Sequence, residues 1–190
     1  MTVRVRMLAA AKQFISGRPI ERDFYAGDGI DAAKGLLGAY LCNGTNRARI
    51  CEVELYLETE RACHAFGGRR TARTEAMFMT GGHAYVYLCY GMHNMLNIVI
   101  GNEGFAAAVL VRALEMPGCD GPAKLTKVFG ITRDHNKLDL TVGDKLWLEE
   151  GARDFDIASG PRIGVDYAGK DAELPWRFVI KGSAFLSRPI

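Results

Sequence analysis

Glu54 heads a short series of side chains that could do acid–base chemistry, with Tyr56 two residues on and His64 eight residues after that tyrosine. Side chains on a strand repeat every two residues, so Glu52, Glu54 and Tyr56 share one face of the run ICEVELYL, while Val53, Leu55 and Leu57 share the other. A lone carboxylate on a strand face is usually solvated. Beside a phenol and an imidazole it could instead line a pocket and take a proton from a reacting group. Tyr85 and Tyr87 likewise fall on one face of a strand, with Tyr90 at the following turn. Ordinary sheet aromatics would account for these three as well.

The turn around Gly91, Met92, His93 and Asn94 leaves Tyr90, Met92 and His93 at a hairpin tip, where large side chains are unfavourable in water without a partner. Wedges pushed between base steps are one way in which proteins kink DNA through its minor groove. Arg61, Arg69, Arg70 and Arg73, opposed in that stretch by Glu60 and Glu75, would supply phosphate contacts, although a solvated basic loop explains the same charges. Cys63, His64 and His83 lack zinc-type spacing, so no metal site is read from them. No G-x-S-x-G, P-loop or G-x-G-x-x-G stands between a strand and a helix, which sets aside nucleotide hydrolase and dehydrogenase chemistry.

The elements that must position these residues suggest an α+β chain. Ala39 to Cys42 and Ala48 to Leu57 flank NGTN, and Asn-Gly between two strand-like runs is a strong hairpin signal. Ala84 to Tyr90, Met95 to Ile100 and Ala107 to Leu114 form an antiparallel meander, with further strands at Lys145 to Leu148 and Arg177 to Ile180. Asp31 to Leu37 reads as a short helix capped by Asp28 or Asp31, and Gly121-Pro122 opens a second that runs to Phe129. The region 150 to 173 reads as loop around a short strand from Arg162 to Val165.

At 190 residues and 48% hydrophobic, the chain has material for one core, with a basic and loosely attached arm over 1 to 22 and a globular body over 23 to 190. A net charge of +2 neither announces nor excludes a nucleic-acid partner. Five cysteines without a CxxC pair suggest buried free thiols in a reducing compartment. No apolar run approaches membrane-spanning length, so a soluble intracellular protein is expected, in the cytoplasm or nucleoid of a prokaryote or the nucleus of a eukaryote.

The blocks EVELYL, CHAFGGRRTART, MFMTGGHAYVYLCYGMHNMLNIV, VLVRALE, GPAKL and PRIGV, in this order and spacing, resemble the alkyladenine (3-methyladenine) DNA glycosylase family from about Phe24 to Ser187. The long block with YVYxxYGM is the specific one. The resemblance implies a single α+β domain with a curved antiparallel sheet, surrounding short helices, a protruding β-hairpin and neither metal nor organic cofactor. It also implies a monomer that takes damaged purines in double-stranded DNA, flips them and hydrolyses their N-glycosidic bond: 3-methyladenine, 7-methylguanine, hypoxanthine or ethenoadenine. Glu54 matches the family's general base, with Arg112 and the backbone carbonyl of Ile163 helping to hold the attacking water. Tyr56, His64 and Tyr87 match the walls around the base, and Asn97 the group that rejects guanine. Tyr90 matches the inserted side chain, with Met92 and His93 beside it. Arg69, Thr71, Lys124 and Gly164 match positions that touch the DNA backbone.

Two departures stand out. Val53 and Leu55 replace the family's usual neighbours of the base, and the interval from Glu54 to His64 is one residue shorter than in vertebrate members. Strand parity places both substitutions behind the pocket. No lysine is placed in the matched motifs to form a Schiff base, so the resemblance implies a monofunctional enzyme. Two other functions use part of the same features. A catalytically silent nucleic-acid-binding module needs the tip and arginines but not Glu54, and a nucleoside hydrolase needs the pocket but not the tip.

Overall fold

The computed structural model describes residues 17–27 and 29–190. Its frame is an eight-stranded antiparallel sheet in which β1 (Tyr40–Cys42), β2 (Arg47–Leu57), β3 (Ala84–Cys89), β4 (His93–Val99), β5 (Ala107–Leu114) and β6 (Trp147–Glu149) lie in the order β3-β4-β5-β2-β1-β6. Two more strands, β7 (Ile157–Gly160) and β8 (Arg177–Ile180), pair with each other, and β8 also pairs with β2. The chain is thus one α+β domain, as expected.

The long strand β2 organises everything else. One of its edges carries β5, from Ile50 opposite Leu114 to Leu57 opposite Ala107. The other edge is shared, with β1 against its first residues and β8 against Glu52, Val53 and Glu54. The β2–β5 register shifts between Ile50 and Val53, and such an irregularity bends a strand and increases its twist. The sheet therefore curls around the face that carries Glu52, Glu54 and Tyr56.

The opposite face packs the main core. Val53 and Leu55 are fully buried there against Ala32, Ala33, Leu36 and Leu37, contributed by helix α1 (Gly29–Gly35) and the turn after it. Helix α2 (Pro122–Val128), with proline in its first turn, adds Leu125, and Phe129 follows just after it. A smaller cluster on the concave side joins Met77, Phe78, Tyr85 and Val99, and Tyr56 and Tyr87 pack against it. Both β2 substitutions, Val53 and Leu55, thus sit in the core and away from the polar face.

Several expected boundaries move. Helix α1 begins at Gly29, so Asp31 lies within its first turn and does not cap it, and Asp28 lies outside the described residues. Strand β4 begins at His93, because Cys89 pairs with His93 and shortens the loop to Tyr90, Gly91 and Met92. Strand β6 covers Trp147–Glu149, in register with β1. The expected strand from Arg162 to Val165 does not form. The strand of that region is β7, paired with β8, whereas Pro161 to Val165 turns inward and gives its side-chain and main-chain donors to the site.

Of the expected basic arm, residues 1–16 lie outside the described residues, Ile20 is buried, and Arg22 donates to the Gly81 carbonyl at 2.8 Å and to Asp139 at 2.5 Å. Among the described residues no helix is long and apolar enough to cross a membrane, and all five cysteines are free thiols.

Candidate active site

Strand parity does put Glu52, Glu54 and Tyr56 on one face, and the curl of the sheet buries it: both carboxylates are 0% exposed. A buried charge needs partners, and Glu54 has three donors. Tyr56 gives its hydroxyl to Oε2 at 2.8 Å, Arg112 gives Nη1 to the same oxygen at 3.2 Å, and the Ile163 amide donates to Oε1 at 2.7 Å. These come from β2, β5 and the loop after β7. The Ile163 N–H makes this contact, whereas the role that the resemblance implies for Ile163, holding the water, belongs to its carbonyl on the following peptide.

Glu52 anchors the other end of Arg112. Its Oε1 accepts Nε of Arg112 at 2.9 Å and Nε of Arg177 at 2.8 Å, while Ser187 donates its amide to Oε2 at 2.6 Å and its hydroxyl to Oε1 at 2.7 Å. Burial alone would make Arg112 easier to deprotonate, but the charges of Glu54 and Glu52 outweigh it and hold the guanidinium more firmly protonated than usual.

A cavity of about 490 Å³ opens in front of this charged floor. Its lining includes Tyr56, His64, Tyr87, Tyr90, Asn97, Arg112, Ile163 and Gly164, so eight of the expected residues converge on one space, with Glu54 directly behind Tyr56, Arg112 and Ile163. Asn97 is buried and donates its amide to the Tyr85 carbonyl at 3.1 Å, which fixes its orientation. Among the described residues no lysine lines the cavity.

His64 is held from both sides. Its Nδ1 lies 2.9 Å from the Tyr85 hydroxyl, and its Nε2 lies 3.1 Å from Nη2 of Arg73. An arginine can only donate, so Nε2 is the acceptor and the neutral ring carries its proton on Nδ1. Burial, reinforced by the charge of Arg73, pushes the imidazole down to about 4. Its ring meets that of Tyr87 edge to face at 4.6 Å. Burial also keeps both wall tyrosines protonated: Tyr56 is raised well above the ordinary phenol value, with the adjacent Glu54 adding to the effect, and Tyr87 is raised as well. The one-residue contraction between Glu54 and His64 leaves His64 in the cavity.

Arg162 supports this wall from within. It pairs with Glu60 through contacts of 2.7 and 2.8 Å, donates to the Leu55 carbonyl at 2.9 Å, and lies 4.8 Å from the Tyr56 ring centre. Glu60 thus neutralises a buried arginine and not the basic loop beside it. Of the loop arginines, Arg70 is paired with Glu75 at 2.7 Å, while Arg61, Arg69, Thr71 and Arg73 line a cleft that adjoins the main cavity.

The hairpin tip runs from the cavity rim, which Tyr90 helps to line, out into solvent. Tyr90 is 90% exposed and Met92 71% exposed, His93 is also exposed, and Tyr90 adopts a left-handed φ of 50° ahead of Gly91 at 72°. Lys124 lies outside the cavity, at the start of α2, where it pairs with Asp120 at 2.7 Å. The sequence reads Arg73 as a phosphate contact, and Glu52 and Tyr85 only as neighbours on a strand face, whereas it gives Arg162, Arg177 and Ser187 no role. Arg177 and Ser187 carry no local signal.

The profile of the family described as Methylpurine-DNA glycosylase (MPG) matches residues 23–184. A protein of Methanocella arvoryzae named "Putative 3-methyladenine DNA glycosylase" is 42% identical over 89% of this chain and 96% of its own length. Proteins of the same name from Clostridium acetobutylicum and Borreliella afzelii are 39% and 40% identical, covering 87% and 89% of this chain and 96% and 100% of their own lengths.

Proposed function

We propose, from the premise that the chain belongs to the methylpurine-DNA glycosylase family and is a base-excision-repair DNA glycosylase, that Glu54 is the general base which activates water against C1′ of a damaged purine nucleotide flipped out of duplex DNA. The observation that carries this reading is the coordination of Glu54. A carboxylate has about four acceptor positions, and Tyr56, Arg112 and Ile163 fill three. The remaining position, on Oε1, takes the proton of the attacking water. The departing purine leaves positive charge on the sugar, and the same fixed carboxylate stabilises it.

The other residues then divide the work. Tyr56, Tyr87 and His64 sandwich the extruded base, and an alkylated cationic purine gains from the two phenol faces about 0.5–2 kcal/mol. His64 is neutral at ordinary pH, so it neither repels that cation nor serves as the acid for the leaving base. Asn97, pinned by Tyr85, limits the edge that the base presents and works against guanine. Arg112 and Ile163 hold Glu54 in the orientation that meets the water. Tyr90, flanked by Met92 and His93, enters the space that the base vacates. Arg69 and Thr71, in the cleft beside the cavity, meet the DNA backbone, as do Gly164 and Lys124.

Damaged bases pair poorly and cost less to extrude, so selection begins at the flipping step. The absence of lysine from the lining of the cavity, among the described residues, supports a monofunctional reaction that leaves an intact abasic site. We expect the protein to act as a monomer, because one chain supplies the base, the pocket and the wedge.

Single-turnover release of hypoxanthine from a duplex tests the reading. Glu54→Gln keeps duplex binding and loses on the order of 10²–10⁴-fold in rate. Equal release by the variant and the wild type would remove Glu54 from the role of base.

A further inference from the structure

We propose that Glu52 is a positioning residue for base excision, and that with Ser187 of the C-terminal tail it holds Arg112 so that a single nitrogen faces Glu54. The proposal rests on the assignment of Glu54 as general base. Glu52 and the bonds it makes lie behind the cavity, and it lines none of it.

The guanidinium of Arg112 is divided between two carboxylates. Nη1 alone reaches Glu54, at 3.2 Å, whereas Nε goes to Glu52 at 2.9 Å and both Nε and Nη2 approach the Ser187 hydroxyl, at 3.3 and 3.2 Å. Arginine prefers to meet a carboxylate through two parallel bonds. Here Glu52 and Ser187 draw the second nitrogen away, which leaves Glu54 with an acceptor position for water.

Glu52 is itself saturated. It accepts Arg112 from β5, Arg177 from β8, and both donors of Ser187, and it is fully buried. Arg177 extends the same structure along the tail by donating to the carbonyls of Arg188 and Pro189. The charges on this floor balance, with Glu52 and Glu54 against Arg112 and Arg177. Glu54 is faced by Tyr56 on its own strand, by Arg112 from β5, by Tyr87 from β3, and by the Ile163 amide and Arg162 from the loop after β7. Neutralising Glu52 therefore leaves two arginines to one carboxylate, and Arg112 turns both nitrogens onto Glu54. The acceptor position that water needs is then occupied.

The test compares Glu52→Gln, Glu54→Gln and wild type in the full chain, by single-turnover hypoxanthine release from about pH 5 to pH 8, with duplex Kd and thermal stability recorded alongside. For Glu52→Gln the expected result is a rate constant at saturating enzyme lower by on the order of 10²-fold across that pH range, with an unchanged duplex Kd and an unchanged amplitude of release. A role in folding alone would lower the amplitude of release, which reads the active fraction, and leave the rate constant of the active molecules at the wild-type value; this result would overturn the proposal. Ser187→Ala keeps every charge and removes one hydroxyl, so it provides the answer if Glu52→Gln does not fold. It should slow release about fivefold at unchanged Kd, and a wild-type rate there would overturn the positioning role. If Glu54→Gln releases base normally, the assignment of the general base fails first; if it is inactive while Glu52→Gln and Ser187→Ala match the wild type, only the positioning role fails.

Discussion

The floor of the cavity and the tip of the β3–β4 hairpin are built in opposite ways. Glu52, Glu54, Arg112 and Arg177 are all at most 7% exposed and are joined by ion pairs of 2.8 to 3.2 Å, whereas Tyr90 is 90% exposed and Met92 71% exposed. Charged groups that serve a reaction must be oriented before the substrate arrives, because their advantage over water lies in needing no reorganisation. An apolar tip gains its stabilisation only when a partner covers it. Damage to the floor should therefore appear in the fold and the chemical step, and damage to the tip in the flipped state alone.

The largest effect should come from the support beneath the floor. Arg162→Met leaves Glu60 buried without its cation, and urea denaturation should show a loss of about 3–5 kcal/mol. A loss below about 1 kcal/mol would mean that the loop carrying Ile163 is held by its remaining contacts. At the tip, Tyr90→Ser should leave stability within about 0.5 kcal/mol of wild type. The same change should weaken the flipped state by about 1–3 kcal/mol, the usual worth of an aromatic stacked on bases. Unchanged flipping of a fluorescent base analogue would place the wedge elsewhere.

The smallest effect concerns the wall between the two regions. Folding depresses the His64 imidazole to about 4, below its ordinary value near 6.5, so the unfolded chain binds more protons between these two values. The stability that the neutral ring contributes is complete above about pH 6.5 and is lost as pH falls toward 4, by on the order of 1–2 kcal/mol between pH 7 and pH 5. His64→Asn should flatten that part of the stability profile. An identical slope in the variant would assign the pH dependence to other groups.

Parity along β2, the Asn-Gly hairpin, the β3–β4–β5 meander and the proline-led helix α2 were all legible, because each depends on local periodicity or turn chemistry. The motif blocks carried the family as well. Boundaries were less legible where pairing decided them, as with Cys89 opposite His93, which places the start of β4 two residues before Met95. The segment Pro161 to Val165 alternates like a strand, yet its Ile163 amide is taken by Glu54 and its Arg162 by Glu60. No local pattern states that a backbone donor will be spent on a carboxylate 109 residues away.

By itself, then, the sequence determined that a carboxylate and a tyrosine share a strand face and that large side chains occupy a turn. Tertiary structure alone decided that the face is buried, that Arg112 is divided between two glutamates, and that Ser187 closes on Glu52 from 135 residues away. The reason is physical: side-chain direction follows from backbone period, whereas burial and charge partners arise only when β5, β8, the Ile163 loop and the tail close around β2.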